Sequence, residues 1–186
     1  LSENCRVSAP TYRSMLRMMK PEELWPAGYH AGITREQPYE WPESWNAHTP
    51  NEGWRKLGPV ERYDDAQNAR QMVERTARAH GEYIREQVSD FRRGYAGDEL
   101  NGNRQTAGHL LWRLNDNSNV ISFGVVDYFL EPGHAFYEMK RCYAPLFVSV
   151  ELSDHAYVWV TNDSAAPVRG RLQISLFHLT ENRTTR

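Results

Sequence analysis

The sequence GHLLWRLNDNSNVISFGVVDYFLEPGHAFYEMKRCYAP occupies residues 108–145 and determines the predicted architecture of the chain. An apolar strand over residues 107–114 is followed by a short apolar segment and by an aromatic-rich helix over residues 132–143. The strand ends in an aromatic ring and two polar side chains: Trp112, Asn115 and Asp116. A strand that presents such groups at its carboxyl end, before a helix, is how a β/α barrel forms part of its functional site. We therefore predict that this stretch belongs to a β/α barrel.

The segment before this stretch is predicted to contain one long helix. Apolar residues recur at spacings of three and four over residues 69–95, which is typical of an amphipathic helix. We expect Asp64 or Asp65 to cap its start and Gly94 or Gly97 to end it. A short helix over residues 12–19, capped by Ser8 or Thr11, is expected near the amino terminus.

Residues 22–62 are rich in proline, glycine and tryptophan and show no regular period. They contain four of the six tryptophans of the chain, and so many aromatic rings argue against disorder. Rings such as Trp45, mixed with amides, carboxylates and His48, could form a wall that contacts carbohydrate, or could pack the loop onto the barrel. The sequence leaves both alternatives open. No second histidine stands at ligand spacing from His48, so no metal site is predicted.

The character of the sequence changes after Pro145. Residues 147–152 and 157–161 alternate with period two, and a third strand is expected over residues 170–179. Links of hairpin length between them predict an antiparallel meander that opens a β-sandwich. We therefore place a domain boundary near Pro145, between residues 1–145 and residues 146–186.

Composition excludes several functional classes. The chain has 22 basic and 24 acidic side chains, so it lacks the basic excess typical of a nucleic-acid-binding protein. No apolar run approaches the ~18 residues that a membrane-spanning helix needs. Cys5 and Cys142 are too few and too far apart for a disulfide framework. The sequence also has no nucleophile elbow, phosphate-binding glycine loop or cysteine pair at zinc spacing, and we expect neither a metal nor an organic cofactor.

Residues 108–145 resemble the end of the catalytic domain of glycoside hydrolase family 2, in its β-mannosidase and exo-β-glucosaminidase branch. In that family a segment like WQLND is followed by IDYYGRPKxxYYxxKRxYAP. The start of this chain is also similar to the family, because Ser2-Glu3 is followed by Ser8-Ala9-Pro10 and then by Leu24-Trp25-Pro26. Two positions depart from the pattern: Cys5-Arg6 stands where a glycine is frequent, and residues 117–119 replace a second tryptophan.

The resemblance implies an α/β fold, namely the C-terminal portion of a (β/α)8 TIM barrel followed by an antiparallel immunoglobulin-like β-sandwich segment. It implies a retaining exo-β-glycosidase that hydrolyses terminal β-mannosides or β-glucosaminides by double displacement, without a cofactor. Glu3 would be the nucleophile. Trp112 would form the floor of the sugar subsite, and Asn115 and Asp116 would bind sugar hydroxyls.

In the family the acid/base glutamate lies well upstream, usually after an asparagine, and this chain starts too late to contain it. We therefore expect the isolated chain to be inactive and to need a missing N-terminal part of its parent or a homo-oligomer. The expected partner is a carbohydrate substrate, with no nucleic acid and no membrane. A periplasmic or extracellular location is expected for a bacterial parent that degrades polysaccharides.

Two other functions remain open from the residues themselves. A non-catalytic carbohydrate-binding or accessory module would also use the tryptophans and the β-meander. A helical scaffold protein would use the long helix to bind partners, and it predicts an exposed apolar stripe on that helix. The barrel interpretation predicts instead that the stripe is buried.

Overall fold

A computed structural model of the protein describes residues 5–30, 41–50, 53–94 and 108–185. The helices in these ranges are α1 (Tyr12–Met18), α2 (Pro21–Leu24), α3 (Ala69–Arg92) and α4 (His134–Cys142). The strands are β1 (Leu146–Leu152), β2 (Ala156–Asn162), β3 (Leu176–His178) and β4 (Arg183–Thr185). Short 3₁₀ helices lie between α2 and α3, at Glu43–His48, Gly53–Lys56 and Val60–Arg62.

The helix ends follow from local capping. Thr11 caps α1, because its hydroxyl accepts a hydrogen bond from the backbone N–H of Ser14. Helix α3 starts later than expected, and the predicted cap at Asp64 or Asp65 is wrong: Asn68 is the cap and accepts from a backbone N–H one turn ahead. Beyond the end of α3, Gly94 has φ +80°, the left-handed conformation that favours glycine after a helix. Gly97 lies outside the described residues.

Helix α3 supplies one side of two apolar clusters. Its first half buries Met72 and Val73 against α1, α2 and the turn at Glu43–His48. Its second half buries Ile84 and Val88 against α4. The apolar stripe of α3 is therefore buried as the barrel interpretation predicted, and this contradicts the scaffold hypothesis, which needs an exposed stripe.

Two tryptophans of the irregular segment belong to the first cluster. Trp41 and Trp45 are fully buried, and their ring centroids are 5.9 Å apart. The indole N–H of Trp41 donates to Asn46 Oδ1 at 3.0 Å, and that of Trp45 donates to the Leu24 carbonyl at 3.1 Å. Because both rings are buried and both indole N–H groups are bonded, these residues pack the segment onto the core.

Residues 121–127, here called the central segment, connect the parts of the chain that carry the candidate site. The backbone N–H of Ser8 donates to Ser122 O at 3.1 Å, and that of Ile121 donates to His48 O at 2.8 Å. On the other side, Val126 N–H donates to Leu114 O at 2.9 Å. The strand predicted at residues 107–114 is wrong over the described residues: residues 108–114 carry one isolated bridge, at Leu111, and bends at Trp112 and Leu114.

The region after Pro145 is antiparallel β-structure. Strands β1 and β2 pair in register from Leu146↔Asn162 to Leu152↔Ala156, which confirms the predicted hairpin. The predicted third strand over residues 170–179 is wrong in length and in partner. Only β3 forms within it, and β3 pairs with β4 rather than with β2. Alternation of apolar residues indicates an extended chain but does not specify which strand it pairs with.

Arg92, at the end of α3, joins that helix to α4 and to the hairpin. Its guanidinium donates to the carbonyls of Cys142 at 2.5 Å, Ala144 at 2.7 Å and Pro145 at 3.1 Å. It also forms an ion pair with Asp163 at 2.9 Å. The turn after α4 is therefore fixed to α3 by one charged side chain.

Within the described ranges, none of the helices combines the length and the apolar character that crossing a membrane requires. Cys5 and Cys142 are both free thiols.

Candidate functional site

The candidate site is the turn at residues 112–116, which presents one aromatic ring and one amide to solvent. Trp112 is 47% exposed, which is unusual for a large aromatic side chain. Asn115 is exposed as well. The peptide bond between Trp112 and Arg113 is cis. The turn therefore offers a broad apolar ring face beside a group that can both donate and accept hydrogen bonds.

A buried ion pair holds this turn in place. Arg113 Nε and Nη2 both donate to Asp116 Oδ1, at 2.9 and 2.6 Å, and Nη2 also approaches Ser122 Oγ at 3.4 Å. Asp116 is only 5% exposed. Burial raises the pKa of its carboxyl, while the hydrogen bond and charge of Arg113 act in the opposite direction. The pair links the turn to the central segment and fixes the backbone on either side of Asn115.

Gly124 is the residue that makes room for the Asp116 carboxylate. A Cβ placed on Gly124 would lie 2.6 Å from both Cγ and Oδ2 of Asp116. Real Cβ contacts are not that short, so any side chain at this position would displace the carboxylate or the central segment. Glycine is required here for close approach.

The next turn presents a second exposed aromatic ring. Asp127 Oδ1 accepts from the backbone N–H groups of Phe129 at 2.9 Å and Glu131 at 3.0 Å, a local pattern that closes the turn. Tyr128 is 50% exposed. Val126 pairs with Asn115. Tyr128 therefore lies two residues after Val126, the residue that pairs with the Trp112 turn.

The central segment brings several predicted parts of the site together. Its start contacts the backbone of His48, which is half-buried, and Ser8, which follows Glu3 in the chain. Its other end contacts the turn that carries Trp112. The segments before and after the central segment thus meet on the same stretch of chain. Glu3 itself lies outside the described residues.

Two predicted sugar contacts are corrected. The ring of Trp45 is fully buried and its N–H is bonded inside the fold, so it offers no surface to a ligand. The carboxylate of Asp116 is buried and paired with Arg113, so it supports the turn instead of facing solvent. Trp112 and Asn115 are exposed and His48 is half-buried, and the sugar-binding role of these three residues stays a prediction.

Three residues that shape the site have no role predicted from the sequence: Arg113, Gly124 and Asp127. A signal existed for the first, because an arginine three residues before an aspartate within a turn can pair with it. A signal also existed for Asp127, because aspartate before a turn often accepts backbone N–H bonds. The requirement for Gly124 depends on a contact eight residues away in sequence, and no local pattern indicates it.

Among the residues that the structure describes, no group of three or more His, Cys, Asp or Glu side chains could hold a metal ion.

No protein-family profile matches the chain. Among curated proteins, β-mannosidase B of Aspergillus terreus is 32% identical over 104 residues, which cover 48% of this chain and 12% of that protein. β-Mannosidase B of Emericella nidulans is 37% identical over 78 residues, covering 42% of this chain and 8% of that protein. The match thus spans about an eighth, or less, of the length of these relatives.

Two solved structures have a fold similar to that of this chain. A β-D-mannosidase from Dictyoglomus thermophilum superimposes with a TM-score of 0.66 at 18% identity, covering 88% of this chain and 18% of that chain. The exo-chitosanase of Amycolatopsis orientalis, in a complex with PNP-β-D-glucosamine, gives a TM-score of 0.52 at 13% identity, covering 91% of this chain and 24% of that chain. The resemblance to glycoside hydrolase family 2 predicted from residues 108–145 is thereby confirmed: part of the chain is similar in sequence to β-mannosidases, and its fold is similar to that of a β-D-mannosidase and of an exo-chitosanase.

Proposed function

We propose that this chain supplies the nucleophile and part of the sugar subsite of a retaining exo-β-glycosidase that acts on terminal β-mannosides or β-glucosaminides. The observation that carries the proposal is the exposed ring of Trp112, held by the buried Arg113–Asp116 pair beside Asn115. The names of the relatives, β-mannosidase B and exo-chitosanase, support the substrate class.

The nucleophile role of Glu3 is proposed from the resemblance of the start of the chain to glycoside hydrolase family 2. Ser2-Glu3 is followed by Ser8-Ala9-Pro10 and then by Leu24-Trp25-Pro26, as in the pattern of that family. Glu3 lies outside the described residues, so its proposed role depends on the order of these motifs.

The chemistry is a double displacement with balanced proton transfers. The Glu3 carboxylate attacks the anomeric carbon and forms a glycosyl ester, while a second carboxyl group about 5–5.5 Å away protonates the departing glycosidic oxygen. That second group then removes a proton from water, and the water oxygen attacks the anomeric carbon and releases Glu3. The overall reaction needs no redox partner.

The second carboxyl group would come from a part of the enzyme upstream of these residues. We therefore infer that the isolated chain does not turn over glycosides. Hydrolysis of an aryl β-mannoside by the purified 186-residue chain, free of other glycosidases, would contradict this inference.

Trp112 would hold the apolar C–H face of the terminal sugar, because packing this face against an indole ring removes it from water. Asn115 and His48 would bind hydroxyl groups. Asp116 would act as a positioning residue, since its carboxylate is used by Arg113 and touches no ligand.

For the architecture, we propose that residues 1–145 form the C-terminal portion of a TIM barrel and that residues 146–186 begin an immunoglobulin-like sandwich. The helices packed against extended segments in the first part support this division. The antiparallel pairs β1–β2 and β3–β4 in the second part support it too.

The proposal is tested with a longer polypeptide that joins this chain to the upstream part of the barrel. Hydrolysis of aryl β-mannoside and aryl β-glucosaminide is measured for the unaltered protein, for Glu3→Gln and for Glu61→Gln, an exposed carboxylate of the same type. We expect Glu3→Gln to lower kcat by at least about 10³-fold, because it removes the nucleophile, and Glu61→Gln to leave kcat unchanged. The sugar released first should keep the β-configuration by NMR.

Equal activity of Glu3→Gln and Glu61→Gln would reject the nucleophile. The alternative function, a non-catalytic carbohydrate-binding module, predicts a different result. It predicts no turnover in any of the three proteins, together with sugar binding that Trp112→Ala abolishes.

A further inference from the structure

A small internal cavity lies behind the candidate site, between the segment that starts with Ser8, the middle of helix α3 and the end of the central segment. Its volume is about 10 Å³, which is the space that the centre of one water molecule occupies. The residues on its wall that matter here are Ser8, His80 and Asp127.

His80 is fully buried on the core side of α3. Its Nδ1 lies 3.1 Å from Ser8 Oγ, and its Nε2 has no hydrogen-bond partner among the described residues. Burial lowers the pKa of His80 to about 4, and the charges of Arg6 and His134 add to this effect. The imidazole is therefore neutral at pH 7 and carries one proton.

Asp127 faces the same cavity and is 5% exposed. Its Oδ1 accepts two backbone N–H groups of the following turn. Its Oδ2 is buried and has no hydrogen-bond partner in the described part of the chain. An unpaired buried carboxylate oxygen and an unpaired buried imidazole nitrogen each cost about 1–3 kcal/mol or more, so two in one cavity call for a common partner.

We propose that this cavity binds a single structural water molecule that accepts a hydrogen bond from His80 Nε2 and donates one to Asp127 Oδ2. The Ser8 hydroxyl donates to Nδ1, which leaves the only imidazole proton on Nε2. The Ser8 hydroxyl and the His80 Nε2–H each then meet an acceptor, and one O–H of the water meets Asp127 Oδ2.

The water extends the Ser8–His80 hydrogen bond to Asp127 and so joins three elements of the fold. Ser8 follows Glu3 in sequence, His80 belongs to α3, and Asp127 closes the turn that carries Tyr128. The water-linked chain therefore acts as a positioning device that fixes both edges of the candidate site to the long helix. This inference stands whether or not the chain belongs to an active glycosidase.

The test combines crystallography and NMR on the 186-residue chain. A high-resolution crystal structure is expected to show one ordered water within hydrogen-bond distance of His80 Nε2 and Asp127 Oδ2. Nitrogen-15 spectra are expected to show a proton on Nε2, none on Nδ1, and magnetisation transfer from that proton to a long-lived water. A direct His80–Asp127 hydrogen bond, a dry cavity or a proton on Nδ1 would each overturn the proposal.

Two variants separate the water from the rest of the network. Asp127→Asn keeps the acceptor for the turn but replaces the water's acceptor by a donor, and we expect solvent exchange of the Nε2 proton to rise about tenfold, the equivalent of one net hydrogen bond. Ser8→Ala removes the hydroxyl on the other side, and we expect the water to remain while the proton distributes between Nδ1 and Nε2. An Nε2 exchange rate in folded Asp127→Asn equal to that of the unaltered chain would contradict the proposed role of Asp127.

Discussion

Trp45 and Trp112 are predicted to lose different amounts of stability on the same truncation to alanine. A tryptophan side chain buries about 200 Å² when fully enclosed, and each Å² is worth about 25 cal/mol, so complete burial stabilises by about 5 kcal/mol. Trp45 is completely buried, whereas Trp112 is 47% exposed. We expect Trp45→Ala to lower the free energy of unfolding by about 5 kcal/mol and Trp112→Ala to lower it by about 3 kcal/mol.

Urea unfolding followed by far-ultraviolet circular dichroism measures both values, provided that the slope m is the same in all variants. Trp45→Phe is the control, because it retains most of the ring and removes the hydrogen bond to the Leu24 carbonyl, which costs about 1 kcal/mol. In the longer polypeptide, Trp112→Ala should raise KM for an aryl glycoside, and Trp45→Phe should leave KM unchanged.

Equal destabilisation by Trp45→Ala and Trp112→Ala would refute the assignment of one ring to the core and the other to the surface. A rise in KM caused by Trp45→Phe would restore the sugar-contacting role that burial now excludes.

Three further predictions concern glycine packing, the Arg92 contacts and a buried histidine. Gly124→Ala should destabilise the chain by about 1–3 kcal/mol through steric overlap, whereas Gly133→Ala, whose Cβ would meet only a carbonyl at 3.5 Å, should change stability by less. Arg92→Lys should cost about 2–4 kcal/mol, because lysine cannot reach three carbonyls at once, whereas Arg85→Lys on the exposed face should cost less than about 0.5 kcal/mol. The unaltered chain should lose about 2 kcal/mol between pH 7 and pH 5 from His80 alone, and a His80→Gln variant should not show that loss.

Stability measurements check each of these. For the glycines, equal effects at both positions would mean that the Asp116 carboxylate can move aside freely. For the arginines, a loss below about 1 kcal/mol in Arg92→Lys would show that solvent replaces the guanidinium at the turn after α4. Circular dichroism at pH 7 establishes that each variant is folded.

The sign of the pH effect follows from the lowered pKa of His80. Below pH 6.5 the unfolded chain binds a proton that the native chain does not bind until about pH 4. Stability is therefore highest above pH 6.5, falls as the pH decreases towards 4, and is constant below that as far as this group is concerned. Among the described residues, Arg6 and His134 act on His80 through their charge, and Asp127 and Glu131 line the same cavity. An identical pH dependence in His80→Gln would assign the loss to other groups.

The helices could be predicted well because their signals are local. The Thr11 cap, the apolar stripe of α3 and Gly94 all act within one or two turns, and α1, α3 and α4 form close to where these signals place them. The start of α3 is hard to predict because Asp64, Asp65 and Asn68 all precede the apolar stripe and all can cap a helix. Only the observed hydrogen bond from the backbone N–H of Gln71 identifies Asn68 as the cap.

The site could be predicted only in part. The motif around Trp112 and Asn115 predicts a sugar-contacting role for them, and both side chains are exposed, as that role requires. No local sequence signal shows that Trp45 is buried and Trp112 exposed. The indole of Trp45 packs in the core and donates to the Leu24 carbonyl, which lies 21 residues away in sequence. The pairing of β3 was missed for the same reason, since alternation reports an extended chain and not its neighbour.

Covalent trapping of the glycosyl ester tests the identity of the nucleophile most directly. The longer polypeptide is treated with a 2-deoxy-2-fluoro-β-mannosyl fluoride, which forms the glycosyl ester quickly and hydrolyses slowly, and the labelled peptide is located by mass spectrometry. We predict a single label on the peptide that contains Glu3. A label on a different carboxylate, or complete turnover of the inhibitor with no trapped ester, would contradict the proposed mechanism.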